Sequence, residues 1–253
     1  MGGTEEIWTG NWALPYCGAP PLPATIWGRF NPDPVLIVAL VILAGTHLYL
    51  ARRSSIGLWP AAAGWAATAV ALLSPLCALS VSLFSARVAQ HMLLLLVAMP
   101  LVAGALPRWR TIETPAALWS AAVAFLIALW FWHMPGPYEA TFRSTPLYWT
   151  MHLTLAGSGL ALWAALLRQH SPQALAAGLI SSVQMGLLGA VIGLSSWPMY
   201  RPHYVTSQTW GFTPLGDQQL GGVLMWVPGC LLFLGLTVRS LGLLWRSVEE
   251  ATV

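Results

Sequence analysis

Polar and apolar positions are segregated along this chain on a coarse scale. Seven stretches, at 34–51, 54–86, 88–107, 114–138, 144–167, 169–200 and 218–238, contain no Asp, Glu, Lys or Arg and are strongly apolar. In hydrocarbon the backbone must satisfy its own hydrogen bonds, and about 20 apolar residues in a helix cover the ~30 Å core, so each stretch predicts one membrane helix. Within them we place helices at 35–51, 59–79, 88–106, 115–133, 147–167, 173–196 and 219–238. The fold class is therefore all-α: a polytopic bundle of seven transmembrane helices, with residues 1–33 as an outer (periplasmic) N-terminal segment and residues 34–253 as the membrane domain. Prolines punctuate this plan. Pro60, Pro115, Pro146 and Pro172 fall near helix starts, where a missing N–H costs little, while Pro107 and Pro135 follow helix ends. Pro100 and Pro228 lie inside predicted spans and are expected to kink them, with neighbours or waters taking up the freed carbonyls.

Composition agrees: 57% of the 253 residues are hydrophobic and 8% charged, too few ionisable groups to cover a soluble surface of this size. The net charge of +3 comes from eleven Arg and no Lys, scattered among the loops without a basic stripe, so no nucleic-acid partner is expected. The acidic start, residues 1–6, lacks the charged and apolar regions of a signal peptide, and no cleavage is expected. Cys17, Cys77 and Cys230 are too few and scattered for a disulfide framework or a spaced zinc site, leaving open a single Cys17–Cys77 bridge on an oxidising face.

Charge also orients the chain. Arg52, Arg53, Arg108, Arg110, Arg168, Arg239 and Arg246 follow helices one, three, five and seven, against Arg29, Arg87, Arg143 and Arg201 on the other side. The positive-inside rule then puts the N-terminus outside and the C-terminus in the cytoplasm. Trp59, Trp109, Trp130, Trp132, Trp149, Trp197 and Trp245 sit near predicted helix ends, as a membrane-interface belt does.

With depth read at 1.5 Å per helical residue, His91, His133, His152 and His203 fall toward the outer face, whereas His47 and His170 lie toward the cytoplasm. Met92, Met134, Met151, Met199 and Met225, together with Cys77 and Asp217, also lie at or near the outer ends. Imidazole, thioether and thiol form the donor set suited to copper, Cu(I) in particular, and hard oxygen donors are scarce. The candidate metal ligands are His91, His133, His152 and Met225, with Asp217, His203 and Cys77 as additional ligands or supports. The plain alternative for each His is an interhelical hydrogen bond.

The segment LFSARVAQHMLLLLVAMPLV at 83–102 resembles the histidine motif of the CtaG family of seven-helix cytochrome c oxidase assembly factors. Further motifs follow in the family's order: WHMPGPYEATFRS at 132–144, YWTMHLTLAGSGLALW at 148–163, QMGLLGAV at 184–191 and PLGDQQLGGVLMW at 214–226. The resemblance implies a factor in the bacterial cytoplasmic (inner) membrane that helps mature a haem-copper oxidase subunit, at the copper-insertion stage. It carries over to His91, His133, His152, Asp217, Gln218, Gln219, Gly221, Gly222, Met225 and Trp226. Gly221 and Gly222 are expected to allow tight backbone packing, and Asp217 either to orient an imidazole or to cap its own helix. Three positions depart from the family pattern: Arg87 stands where a second His precedes the QH pair, Cys77 where an Asp follows SPL, and Met151 where a Glu precedes the helix-five His. Arg87 close to a bound cation is repulsive.

Three functions compete: a copper-presenting assembly factor, a membrane protein holding b-type haem between two His, and a cofactor-free scaffold or accessory subunit of a terminal oxidase. No nucleophile–base pairing, phosphate loop or HExxH motif stands in the sequence, so an enzyme is not expected.

Overall fold

The computed structural model describes residues 14–53, 57–107, 114–169 and 171–252, with side chains to residue 242. Expectations placed on residues 1–6, Arg108, Trp109, Arg110 and His170, and on the side chains of Trp245 and Arg246, lie outside the described residues.

All regular structure among the described residues is helical. We number α1 (Pro34–Arg53), α2 (Leu58–Leu73), α3 (Pro75–Ser82), α4 (Phe84–Gly104), α5 (Pro115–His133), α6 (Pro135–Arg143), α7 (Thr145–Leu166), α8 (Pro172–Gly193) and α9 (Pro214–Thr252). Five of these, α1, α4, α5, α8 and α9, are long and apolar enough to cross a bilayer, and the bent pair α2–α3 makes a sixth. The chain is a multi-pass membrane protein. α7 has the length of a span at 22 residues, but Thr150, His152, Thr154 and Ser158 make it less apolar than its neighbours.

Two helices are broken or locally rewound, and each change lies beside a proline. The helix predicted over 59–79 splits at Ser74, where Pro75 lacks a donor and the Ser74 hydroxyl accepts from Leu76 N–H, so α3 starts afresh at 48° to α2. In α4 the residues Leu93–Ala98 are π-helical, and Met99 N–H bonds Leu94 O. Pro100 cannot make the next bond in that register. The Trp163 indole N–H of α7 donates to the freed Leu95 carbonyl instead, at 2.7 Å. α9 runs through Pro228 without interruption and extends well past the predicted 219–238. At 1.5 Å per residue its 39 residues reach about 58 Å, roughly twice the hydrocarbon thickness.

α8 and α9 pack most extensively, through small residues. A Cβ on Gly222 would lie 2.6 Å from Gly189 O and from the Gly193 backbone, and one on Gly221 would lie 2.5 Å from the Phe84 ring. The expected tight packing at these glycines is thus between helices: backbone meets backbone at Gly222 and a ring face meets backbone at Gly221, with no room for a methyl at either. At the end of the bundle that holds His91, residues 14–33 form a cover. Cys17 is disulfide-bonded to Cys77 of α3, Asn31 N–H bonds Leu73 O at 2.9 Å, and Pro21 O accepts from Ser82 Oγ and the Trp210 indole, each at 3.2 Å.

Gly222→Ala should lower stability by about 1–3 kcal/mol through overpacking. Gly235→Ala, on the same helix with open space around it, should be neutral or slightly stabilising. Melting of the two purified variants under one detergent condition checks this, and equal midpoints would remove the packing argument.

Candidate functional site

The site is built on the first turns of α4. Asp217, fully buried near the start of α9, accepts from Phe84 N–H at 2.7 Å, Ser85 N–H at 3.1 Å and the Ser85 hydroxyl. It therefore caps α4 from across the bundle and neither orients an imidazole nor caps its own helix, which corrects both expectations placed on it. Gln218 is also structural: its Oε1 accepts from Met199 N–H at 2.6 Å and its Nε2 donates to Ile192 O at 3.1 Å, closing the end of α8.

From that start, Arg87, Gln90 and His91 project into the bundle, Arg87 and His91 one turn apart on one helix face. The His91 imidazole meets His133, the last residue of α5, and His152 of α7, with ring centroids 5.4 and 5.3 Å away. All three are buried. Nδ1 of His133 lies 2.7 Å from Leu129 O and Nδ1 of His152 lies 3.0 Å from Tyr148 O, so each ring donates to the carbonyl four residues back. Assigned this way, both Nε2 atoms are unprotonated acceptors. His91 Nδ1 sits 3.5 Å from His133 Nε2 and donates to it, which leaves His91 Nε2 unprotonated as well. Neither His91 Nε2 nor His152 Nε2 has a hydrogen-bond partner. Among the described residues, however, no group of three or more His, Cys, Asp or Glu side chains is already disposed to hold a metal ion.

Other candidates fall elsewhere. Cys77 is half of a disulfide and cannot serve as a thiol ligand, which corrects its place among the ligands. The bridge abuts the cluster's edge, because the Tyr148 hydroxyl lies 3.4 Å from Cys17 Sγ and 3.7 Å from Cys77 Sγ while its ring centroid is 4.3 Å from that of His152. His203 sits in an aromatic nest rather than against the other imidazoles, with Nε2 at 2.6 Å from the Tyr138 hydroxyl and the Phe142 ring 5.4 Å away. Met225 is fully buried in the hydrophobic core, about 16 Å along α9 from its first residue against about 10 Å for His91 along α4. His47 is structural, its Nδ1 accepting from the Trp65 indole at 3.0 Å.

The residue that sequence reasoning underestimated is Arg87, only 1% exposed. Its guanidinium carbon lies 4.6, 5.4 and 5.8 Å from the centroids of Phe142, Tyr148 and Tyr138, Nε donates to Ser80 O at 3.4 Å, and Nη1 has no partner. Desolvated cation–π contacts contribute about 2 kcal/mol each at best, against an effective penalty of several kcal/mol for burying an ion. Its signal in the sequence was an arginine in an otherwise uncharged 54–107 region; the two motif tyrosines it meets lie 51 and 61 positions away and reach it only in the fold.

Residues 40–247 match the cytochrome c oxidase caa3 assembly factor family, Caa3_CtaG. The chain belongs to this family. No match is found among curated proteins or solved structures. The family match spans α4 to α9 and so every element that contributes to the cluster.

Burial, and secondarily the Arg87 charge, push His203 in its loop down to about 3. In the unfolded chain it titrates near the ordinary value of about 6.5, so between that pH and ~3 the unfolded state holds a proton that the folded state refuses. Stability therefore falls as pH drops through this window, by up to about 1.4 kcal/mol per pH unit from this residue. His203→Gln should flatten the acid limb of a melting-against-pH series by about one proton, whatever its stability at neutral pH. An unchanged slope would contradict the assignment.

Proposed function

We propose that this family member is a non-enzymatic assembly factor that receives Cu(I) at the histidine end of its bundle and assists copper insertion into a haem-copper oxidase subunit. The observation that carries this reading is the pair of bare, buried acceptor nitrogens, His91 Nε2 and His152 Nε2, beside the His133 ring. A buried lone pair without a donor is costly, and three neutral imidazoles from three helices form a soft set that suits copper. Nδ1 bonds from His133 and His152 to backbone carbonyls hold their rings with Nε2 inward, the arrangement that supports metal-bound histidines. Copper is cargo here. Side-chain rotation must draw the rings closer to reach metal–nitrogen distances of about 2 Å.

Arg87 favours transfer over storage. At ~6 Å from a cation held by His91, one turn along the helix, its charge opposes binding by about 3 kcal/mol at an effective dielectric of ~20. That is about a hundredfold in affinity. The close contact of His91 with His133, at 3.5 Å, leaves no slot for a porphyrin between them and disfavours the haem alternative. Met225 belongs to this reading as a reserve donor reached by side-chain rearrangement.

We further propose seven crossings in a bacterial cytoplasmic membrane, with α7 as the additional span, the N-terminus outside and the C-terminus in the cytoplasm. The length of α7, its buried position beside α4 and α5, and the Arg asymmetry support this. A disulfide joining the cover to α3 fits an oxidising outer side. Reporter fusions after Ala51 and after Val253 should both signal the cytoplasm. A periplasmic signal at Val253 would mean an even number of crossings and overturn the topology.

His91→Ala and His152→Ala should each weaken Cu(I) binding by at least ~10-fold while leaving the protein inserted, because one buried polar side chain contributes only about 1–2 kcal/mol to membrane helix packing. Oxidase activity and copper content in a deletion strain carrying each variant at matched membrane levels should fall, and added copper should partly restore them by mass action. Full activity from both variants would leave the scaffold reading, in which the Asp217 cap and packed helices carry the function.

A further inference from the structure

Among the described residues, charge balance around Arg87 does not close. Three acidic side chains lie among the described ones, and each is committed elsewhere. Asp33 accepts from the Tyr16 hydroxyl and from Val35 and Leu36 N–H, Glu139 pairs with Arg143 on α6, and Asp217 caps α4. Arg87, 1% exposed, is left with one carbonyl contact through Nε, three aromatic faces and an unpartnered Nη1. The next polar groups along its helix and around its rings are imidazoles, tyrosine and threonine hydroxyls and the Gln90 amide, which supply no negative charge when neutral. A water would satisfy the Nη1 donor but leave the charge in place, and ring quadrupoles fall short of a full counter-charge.

We infer that Arg87 forms the cationic wall of a buried site for one small monovalent anion of the chloride class. The anion accepts from Nη1, on the side not taken by Ser80 O, in the layer between His91 and the Tyr138, Phe142 and Tyr148 rings. Size follows from enclosure: at 1% exposure the guanidinium lies beyond the reach of a carboxylate carried by a partner chain, so the anion is small. Single charge follows from there being one cation to balance. The anion also cancels the repulsion between Arg87 and a cation at the imidazoles, raising affinity there by up to about a hundredfold. That consequence rests on the copper reading, whereas the anion site does not.

The test uses the full chain, purified metal-free, so a failure of copper binding leaves it intact. At constant ionic strength, chloride or bromide replaces gluconate and the melting midpoint is followed. The wild type should rise by about 5–10 °C at a hundredfold excess over the dissociation constant. Arg87→Lys, which keeps the charge, should still respond, and Arg87→Met should not. Since Arg87→Met risks misfolding, equilibrium dialysis with radiolabelled chloride is run alongside on wild type and Arg87→Lys, where the wild type should retain one equivalent. Identical midpoints in all three anions with no retained chloride would overturn the proposal, leaving rings and water to hold Arg87. A chloride response of equal size in folded Arg87→Met would overturn it too, by placing the anion elsewhere.

Discussion

The carboxylate of Asp217 holds the start of α4, and most of the candidate site depends on that contact. An N-terminus in a low-dielectric bundle exposes N–H donors that water cannot reach, and a single buried acid on α9 satisfies two of them together with the Ser85 hydroxyl. The cap sets where α4 begins and so where Arg87, Gln90 and His91 point. The neighbouring Gly221 lets the Phe84 ring lie directly against α9, so the cap and close helix approach reinforce one another. The DQQ segment reads as a functional motif in a sequence. Here its first two members serve as the fittings that align α4 and α8.

On that framework the backbone tunes the imidazoles. Because His133 and His152 each donate to a carbonyl one turn back, the same helices that carry the rings choose their tautomers and leave their Nε2 atoms facing inward. Trp163, by bonding the carbonyl that Pro100 leaves free, ties α7 to the π-helical turn just below His91. The rings are thus placed by helix register and cross-helix bonds, not by loops. Arg87 is built into the same layer and held there by aromatic faces.

Membership in the caa3 oxidase assembly family gives these features a setting. The cover of residues 14–33, stapled to α3 by the Cys17–Cys77 disulfide, closes the bundle at the histidine end. Its closeness to Tyr148 and His152 means that the covalent staple and the donor cluster share one packed layer.

The all-helical membrane class was legible from the apolar stretches, because hydrocarbon leaves the backbone few alternatives to a helix. So were most helix boundaries, since prolines and Ser/Thr caps act locally: α5 ends at His133 and α8 begins at Pro172 almost where the sequence placed them. The convergence of His91 with His133 and His152 required helix packing, because residues 42 and 61 positions apart meet only through the crossing of α4, α5 and α7. The same holds for Cys77, whose partner lies 60 residues away, and for His203, which matched the donor chemistry but is placed by its loop in an aromatic nest. Asp217 and Arg87 mark the limit most clearly. Both advertise themselves in sequence as rare charges in apolar surroundings, yet which donor Asp217 meets, and that Arg87 meets no acid among the described residues, are facts of the folded bundle, because a charge's role is decided by what lies within a few ångströms of it in space.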